Sequence, residues 1–236
     1  MTAEQDPSPQ RGSPPNTKLP TTFILATIIA LAALALAVLA IAALDGGTRS
    51  FDEWLLRGLR ETTDPAVPLG PRWFQEMVRD VSALGSTGIL TLIVVIVTGY
   101  LLVIRSIDKA LFLVAAVTLG TLLNRVLKLL IARPRPDIVP HATYVSNESF
   151  PSGHAANSAI VYLVLGLMLA ALVQSPAAKR YVFAVCVFIT TIVGLSRIYL
   201  GVHWPSDVIA GWLVGGIWAL LCWVALTRIN ETTRAR

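Results

Sequence analysis

Residues able to handle a phosphoryl group stand in three short polar clusters of this 236-residue chain. The first runs from Lys128 to Pro136 and reads Lys-Leu-Leu-Ile-Ala-Arg-Pro-Arg-Pro. The second is Pro151-Ser152-Gly153-His154, and the third is Ser196-Arg197 followed by His203-Trp204-Pro205-Ser206-Asp207. His203 and Asp207 are four residues apart, a spacing at which the carboxylate can accept a hydrogen bond from one imidazole nitrogen. The tautomer is then fixed and the other nitrogen is free to attack. The plainer alternative is a structural His–Asp pair closing a helix end. Ser152-Gly153 before a helix is an ordinary cap, yet a helix N-terminus also offers free N–H groups to an anion, and His154 sets a titratable proton beside it. Lys128 and its neighbours could simply snorkel to headgroups, while Pro134 and Pro136 fix an extended exit that holds Arg135 in place. Taken together, Lys128, Arg135, Arg197 and the Ser152–Gly153 turn would surround a tetrahedral anion. Arginine suits this because its planar fork binds phosphate oxygens in pairs.

These clusters fall at the ends of long apolar runs. Residues 23–44 are uncharged and long enough to span a bilayer, which takes about 20 residues. Further runs cover residues 81–104, 110–131, 155–175, 181–200 and 208–227. The spacing therefore predicts an all-α polytopic membrane bundle of about six transmembrane helices, because a spanning segment must satisfy its backbone hydrogen bonds internally. Residues 1–21, rich in Pro, Ser, Thr and Gln, read as a disordered tail. The membrane domain is expected over 22–228, followed by a short C-terminal tail at 229–236. The first apolar run is longer and starts later than that of a cleavable signal peptide, so a retained helix is expected. Within 48–80, Phe51, Trp54, Leu55 and Leu59, then Trp73, Phe74, Met77 and Val81, recur at helical spacing and predict two short interfacial helices.

Composition agrees with a lipid-covered chain: 55% of residues are hydrophobic and 14% charged, against roughly 25% charged in soluble domains. The net charge of +5 does not point to nucleic acid, since the basic residues sit at the ends of apolar runs as juxtamembrane charges do. Cys186 and Cys222 lie inside apolar spans and imply no disulfide. With six spans the three clusters meet on one membrane face. With Arg125 inside the third span left aside, Lys and Arg totals on the two faces tie, but in the short segments where the positive-inside rule operates the face carrying the termini is richer. Cytoplasmic termini and an extracytoplasmic site are expected, in the cell membrane. No carboxylate cluster suggests magnesium and the histidines and cysteines lack zinc spacing, so neither metal nor cofactor is expected.

Lys128 with Arg135-Pro136, Pro151-Ser152-Gly153-His154, and Ser196-Arg197 with His203 and Asp207 resemble the three motifs of the type-2 phosphatidic acid phosphatase family, in order and with spacing intact. The resemblance covers roughly residues 81–223. It implies that His203 attacks phosphorus to form a phosphohistidine, that Asp207 orients it, and that His154 protonates the leaving alkoxide and then helps activate water. Lys128, Arg135, Ser152, Gly153 and Arg197 would hold the phosphate. The substrate implied is a lipid phosphate: phosphatidic acid, phosphatidylglycerol phosphate or a polyprenyl diphosphate. A phosphotransferase using the same histidine and a non-enzymatic anion or lipid transporter are the alternatives. The similar vanadate-dependent peroxidases are soluble, which this chain is not. Arg125, one turn before Lys128, is expected either to pair with Glu76 or Asp80 or to reach a second phosphate.

Overall fold

A computed structural model describes residues 21–140 and 148–234; the tail expected at 1–21 lies, but for Thr21, outside them. Eight helices occur among the described residues: α1 (Thr21–Leu44), α2 (Arg49–Gly58), α3 (Arg72–Ala83), α4 (Thr87–Val103), α5 (Ile107–Ile131), α6 (Gly153–Leu172), α7 (Pro176–Tyr199) and α8 (Pro205–Arg234). Five are long and apolar enough to cross a membrane alone, and α3 with α4 makes a sixth across a 48° bend. The chain is an all-α integral membrane bundle.

The second span differs from its expected bounds. Helix α3 runs past Val81 to Ala83, and α4 starts only at Thr87, capped by the Ser86 hydroxyl, which accepts the Ile89 N–H at 3.3 Å. Gly85 occupies the break, and a Cβ there would lie 3.3 Å from the His154 Cβ and collide with Val193. The break thus lets the chain abut the start of α6. At the other end α8 stays helical to Arg234, beyond the point where a tail was expected to begin.

Helix α6 is the central element and packs on α4, α5, α7 and α8, burying Ala155, Ala156, Ala159, Ile160 and Val164. Small residues permit this. A Cβ on Gly211 of α8 would stand 2.8 Å from the Ser152 carbonyl oxygen and 2.9 Å from the Ala155 Cβ, and Gly215 one turn on meets the Ala156 carbonyl equally closely. Glycines four apart let two backbones approach, the usual device for helix pairs in lipid. Because the groups that Gly211 faces are backbone and a methyl, Gly211→Val is expected to cost about 1–3 kcal/mol of stability by overpacking. Thermal unfolding in detergent checks this; an unchanged Tm would show the contact to be slack.

The two interfacial helices are present as α2 and α3, with much of the apolar stripe turned outward. Trp54 and Trp73 are 70% and 64% exposed, whereas Asp52 and Leu56 of α2 are fully buried against the bundle. Aromatic side chains at the headgroup level face lipid favourably, so the outward stripe is the membrane-facing one. The inward face of α2 carries an acid.

Candidate active site

The chain between α5 and α6 enters the site through a left-handed residue. Ala132 (φ +45°) closes α5 by donating its N–H to the Lys128 carbonyl, an unusual conformation for a residue with a Cβ. The extended Arg133-Pro134-Arg135 that follows puts both arginines on one side, as alternate residues of an extended chain must be. Both reach the α7–α8 connection. Arg133 donates through Nη1 to Asp207 Oδ1 and to Ser206 Oγ, each at 2.7 Å. Arg135 Nη1 donates to the Val202 carbonyl at 2.5 Å and lies 3.3 Å from His203 Nε2. Between them the Pro134 carbonyl accepts the Trp204 indole N–H at 3.0 Å.

The connection itself is tight. Helix α7 ends at Tyr199 with Leu200 as its cap, Gly201 turns the chain at φ +73°, and α8 begins on Pro205, a residue suited to a first helical position. A Cβ on Gly201 would lie 2.6 Å from Arg60 Nη2. Arg60, on the α2–α3 connection, donates to the Tyr199 carbonyl at 2.9 Å and sets a cation at the end of α7.

His203 and Asp207 are both buried, and His203 Nδ1 stands 3.4 Å from Asp207 Oδ2. That oxygen also accepts the Trp204 N–H at 3.0 Å and the Ser149 hydroxyl. Ser149 Oγ lies 3.4 Å from His203 Nδ1 as well. With Nδ1 turned to the carboxylate, Nε2 is the nitrogen presented to Arg135. Burial pushes the His203 imidazole down to about 3, against the opposing hydrogen bond and charge of Asp207. Burial thus favours the neutral ring, whose Nε2 faces Arg135.

Across the site, Ser152 precedes α6 and donates its N–H to the Asp207 carbonyl at 2.9 Å, tying the start of α6 to that of α8. Gly153 borders open space, with no atom near where its Cβ would be. His154 is the second residue of α6 and lies within electrostatic reach of Arg197, His203, Arg135 and Lys128. Lys128 donates to the Glu148 carbonyl at 3.0 Å. Arg197 is buried and held by Ser82 of α3, whose hydroxyl accepts from Nη1 at 2.7 Å. The Arg197 Nε and the Ser152 hydroxyl are buried without a hydrogen-bond partner among the described residues, a costly state in the absence of a ligand. One turn below His154, Asn157 lines a cavity of about 260 Å³ between α4, α5 and α6, with Thr87, Thr91, Thr118 and Thr121.

All eight residues singled out in the sequence (Lys128, Arg135, Ser152, Gly153, His154, Arg197, His203 and Asp207) therefore gather at one end of the bundle. Arg125 does not join them: it is exposed and makes no ion pair among the described residues, with Glu76 and Asp80 or otherwise. Sequence reasoning missed Asp52, Arg133, Ser149, Ser206 and Ser82. Arg133 lay inside the first cluster without a reason to separate it from Arg135, and Asp52 looked like any acid of an amphipathic helix.

Comparison with known proteins places these elements in context. The model of the PAP2 superfamily matches residues 109–231. Phosphatidylglycerophosphatase B of Bacillus subtilis (strain 168) is 35% identical over 151 residues, 64% of this chain and 74% of that protein. An undecaprenyl-diphosphatase of Sulfolobus acidocaldarius is 34% identical over 127 residues, 50% of this chain and 56% of that protein. The crystal structure of a transmembrane PAP2 type phosphatidylglycerolphosphate phosphatase from Bacillus subtilis superposes with a TM-score of 0.73 at 29% identity, covering 86% of this chain and 96% of that one.

Proposed function

We propose that this chain, which belongs to the PAP2 superfamily, is a membrane-integral phosphatase of lipid phosphates working through a histidine nucleophile. The observation that carries the reading is the buried His203, with Asp207 at Nδ1 and Arg135 at Nε2, beside the unpartnered Arg197 Nε and Ser152 hydroxyl. The substrate class is a phosphomonoester or diphosphate lipid: phosphatidic acid, phosphatidylglycerol phosphate or a polyprenyl diphosphate. Relatives named for phosphatidylglycerol phosphate and undecaprenyl diphosphate support that range. Placement at helix ends supports it too, since that is where an amphiphile presents its phosphate.

In the proposed sequence the His203 Nε2 lone pair attacks phosphorus as the bond to the lipid oxygen breaks. His154 gives that oxygen a proton, so a lipid alcohol leaves from a phosphomonoester, or a lipid monophosphate from a diphosphate. His154 then takes a proton from water, the water oxygen attacks phosphorus, the N–P bond breaks, and inorganic phosphate departs. Lys128, Arg135, Arg197, the Ser152 hydroxyl and the Gly153 backbone N–H bind the non-bridging oxygens, where charge gathers in the transition state. The termini are assigned to the cytoplasm and the site to the outer face of the cell membrane, on the distribution of Lys and Arg in the short loops.

Phosphate release from a panel of these three lipids in detergent, with EDTA present, tests the reading. Release from at least one, undiminished by the chelator, is expected. Folded protein that releases none would overturn it, and lipid exchange of phosphate onto added alcohols in place of water would mark a transferase. His154→Ala is expected to slow turnover about 10²–10⁴-fold, the range for a lost general acid–base. The loss should be much smaller for formation of the phosphoenzyme from p-nitrophenyl phosphate, whose leaving group needs no proton. Equal losses with both substrates would remove His154 from the acid role.

A further inference from the structure

The buried ions around Asp207 do not cancel. Arg133 lies between two carboxylates, bonding Asp207 Oδ1 at 2.7 Å and Asp52 Oδ2 at 2.9 Å, and all three side chains are at most 8% exposed. Asp52 comes from α2, far away in sequence, and is fully engaged. Its Oδ1 accepts the Ser206 N–H at 2.9 Å; its Oδ2 accepts the Ser206 hydroxyl at 2.6 Å, the Thr48 hydroxyl at 2.8 Å and Arg133. The Arg133 guanidinium also sits over the Trp204 ring, 5.4 Å from its centroid. Within this hydrogen-bonded cluster two carboxylates face one guanidinium, which leaves one negative charge toward His203; Arg135 and Lys128, which also reach Asp207 electrostatically, are the cations assigned to phosphate.

Resting on the reading of His203 as the nucleophile, we infer that Asp52 is a positioning residue for the reaction: it takes up the charge of Arg133 and so leaves the charge of Asp207 for His203. When Nε2 forms its bond to phosphorus and the lipid oxygen departs, the ring retains its Nδ1 proton and becomes cationic. A neighbouring carboxylate stabilises that cation only if its own charge is not already cancelled, and in a buried site the difference is large. With Arg133 alone beside it, Asp207 would belong to a neutral pair. Asp52 restores the negative charge, while Oδ2 is held beside Nδ1 by the Trp204 N–H and the Ser149 hydroxyl, contacts that do not depend on Arg133. Helix α2 is thereby part of the catalytic apparatus, although it contributes nothing that touches substrate.

The idea makes an unusual demand: loss of the Asp52 charge should be harmful only while Arg133 is present. Wild-type protein, Asp52→Asn, Arg133→Gln and the double variant would be compared for kcat and KM on dioctanoyl phosphatidic acid in detergent micelles, with monodispersity checked for each. Asn keeps an oxygen for the Ser206 N–H. Asp52→Asn is expected to fall below about a tenth of wild-type kcat with KM within about twofold, and the double variant to keep more than about a tenth. A merely structural role predicts instead that the double is at least as damaged as the single. Asp52→Asn above a tenth of wild-type kcat overturns the inference, and so does a double variant below it. Should Asp52→Asn not fold, the double, a neutral pair in place of a buried ion pair, decides alone by the same threshold. Wild-type protein without turnover would strike the phosphatase reading, and the inference would fall with it; the other adverse outcomes strike the inference alone.

Discussion

Replacing His203 by alanine is expected to abolish phosphate release from every lipid, by at least about 10⁴-fold, the scale seen when a covalent nucleophile is removed from other hydrolases. The size follows from the site. Among the described residues the other imidazole is His154, which opens α6 within electrostatic reach of His203 and is bonded by no carboxylate there. It has no equivalent of Asp207 to steady a phosphorylated ring. Removing His203 also leaves its buried neighbours intact, because Asp207 keeps Arg133, Ser149 and the Trp204 N–H. The variant should therefore fold and bind lipid phosphate while failing to turn it over. Quenching the wild-type reaction in alkaline SDS should trap an acid-labile, base-stable phosphoenzyme that the variant lacks. Turnover of His203→Ala near the wild-type rate would remove the nucleophile assignment altogether.

The second large effect is expected from Asp207→Asn, at about 10²–10⁴-fold in kcat. An amide in this position can turn its NH₂ toward His203 Nδ1, which would then accept a hydrogen bond and carry its proton on Nε2, the nitrogen that must attack. It also removes the negative charge that a phosphorylated ring requires, and leaves Arg133 with Asp52 as its one carboxylate. Because Asp207 does not touch substrate, KM should change little; a rise in KM with kcat preserved would place Asp207 in binding rather than in orientation. Comparison with His203→Ala is informative. Asp207→Asn should still form the phosphoenzyme slowly, whereas His203→Ala should form none.

The eight residues picked out by type and spacing gather at one end of the bundle, for a local reason. Each cluster sits on a helix boundary, and boundaries can be read from where an apolar run stops: Pro205 starts α8 and Gly153 starts α6 as first helical residues. The second span was less legible. Hydropathy averages over a window and does not register the 48° bend between α3 and α4, which depends on Gly85 meeting His154 and Val193 from elsewhere in the chain. The interfacial helices were legible as helices with an outward apolar stripe, but the buried acid on the inward face of α2 was not. The stripe of Phe51, Trp54 and Trp73 is legible because it repeats along one helix face, whereas Asp52 is buried only by packing against α8.

What the sequence by itself determined is the membrane-spanning character, the helix ends and the three motifs, since hydropathy, caps and motif spacing are properties of neighbours along the chain. The tertiary structure alone decided that Asp52 and Arg133 belong beside Asp207, that Ser82 holds Arg197, and that Ser149 shares a carboxylate oxygen with the dyad. Those pairings join helices and connections that lie far apart along the chain. The burial that makes an acid on α2 strong in effect is created by packing, and the same acid facing water would have read identically in the sequence.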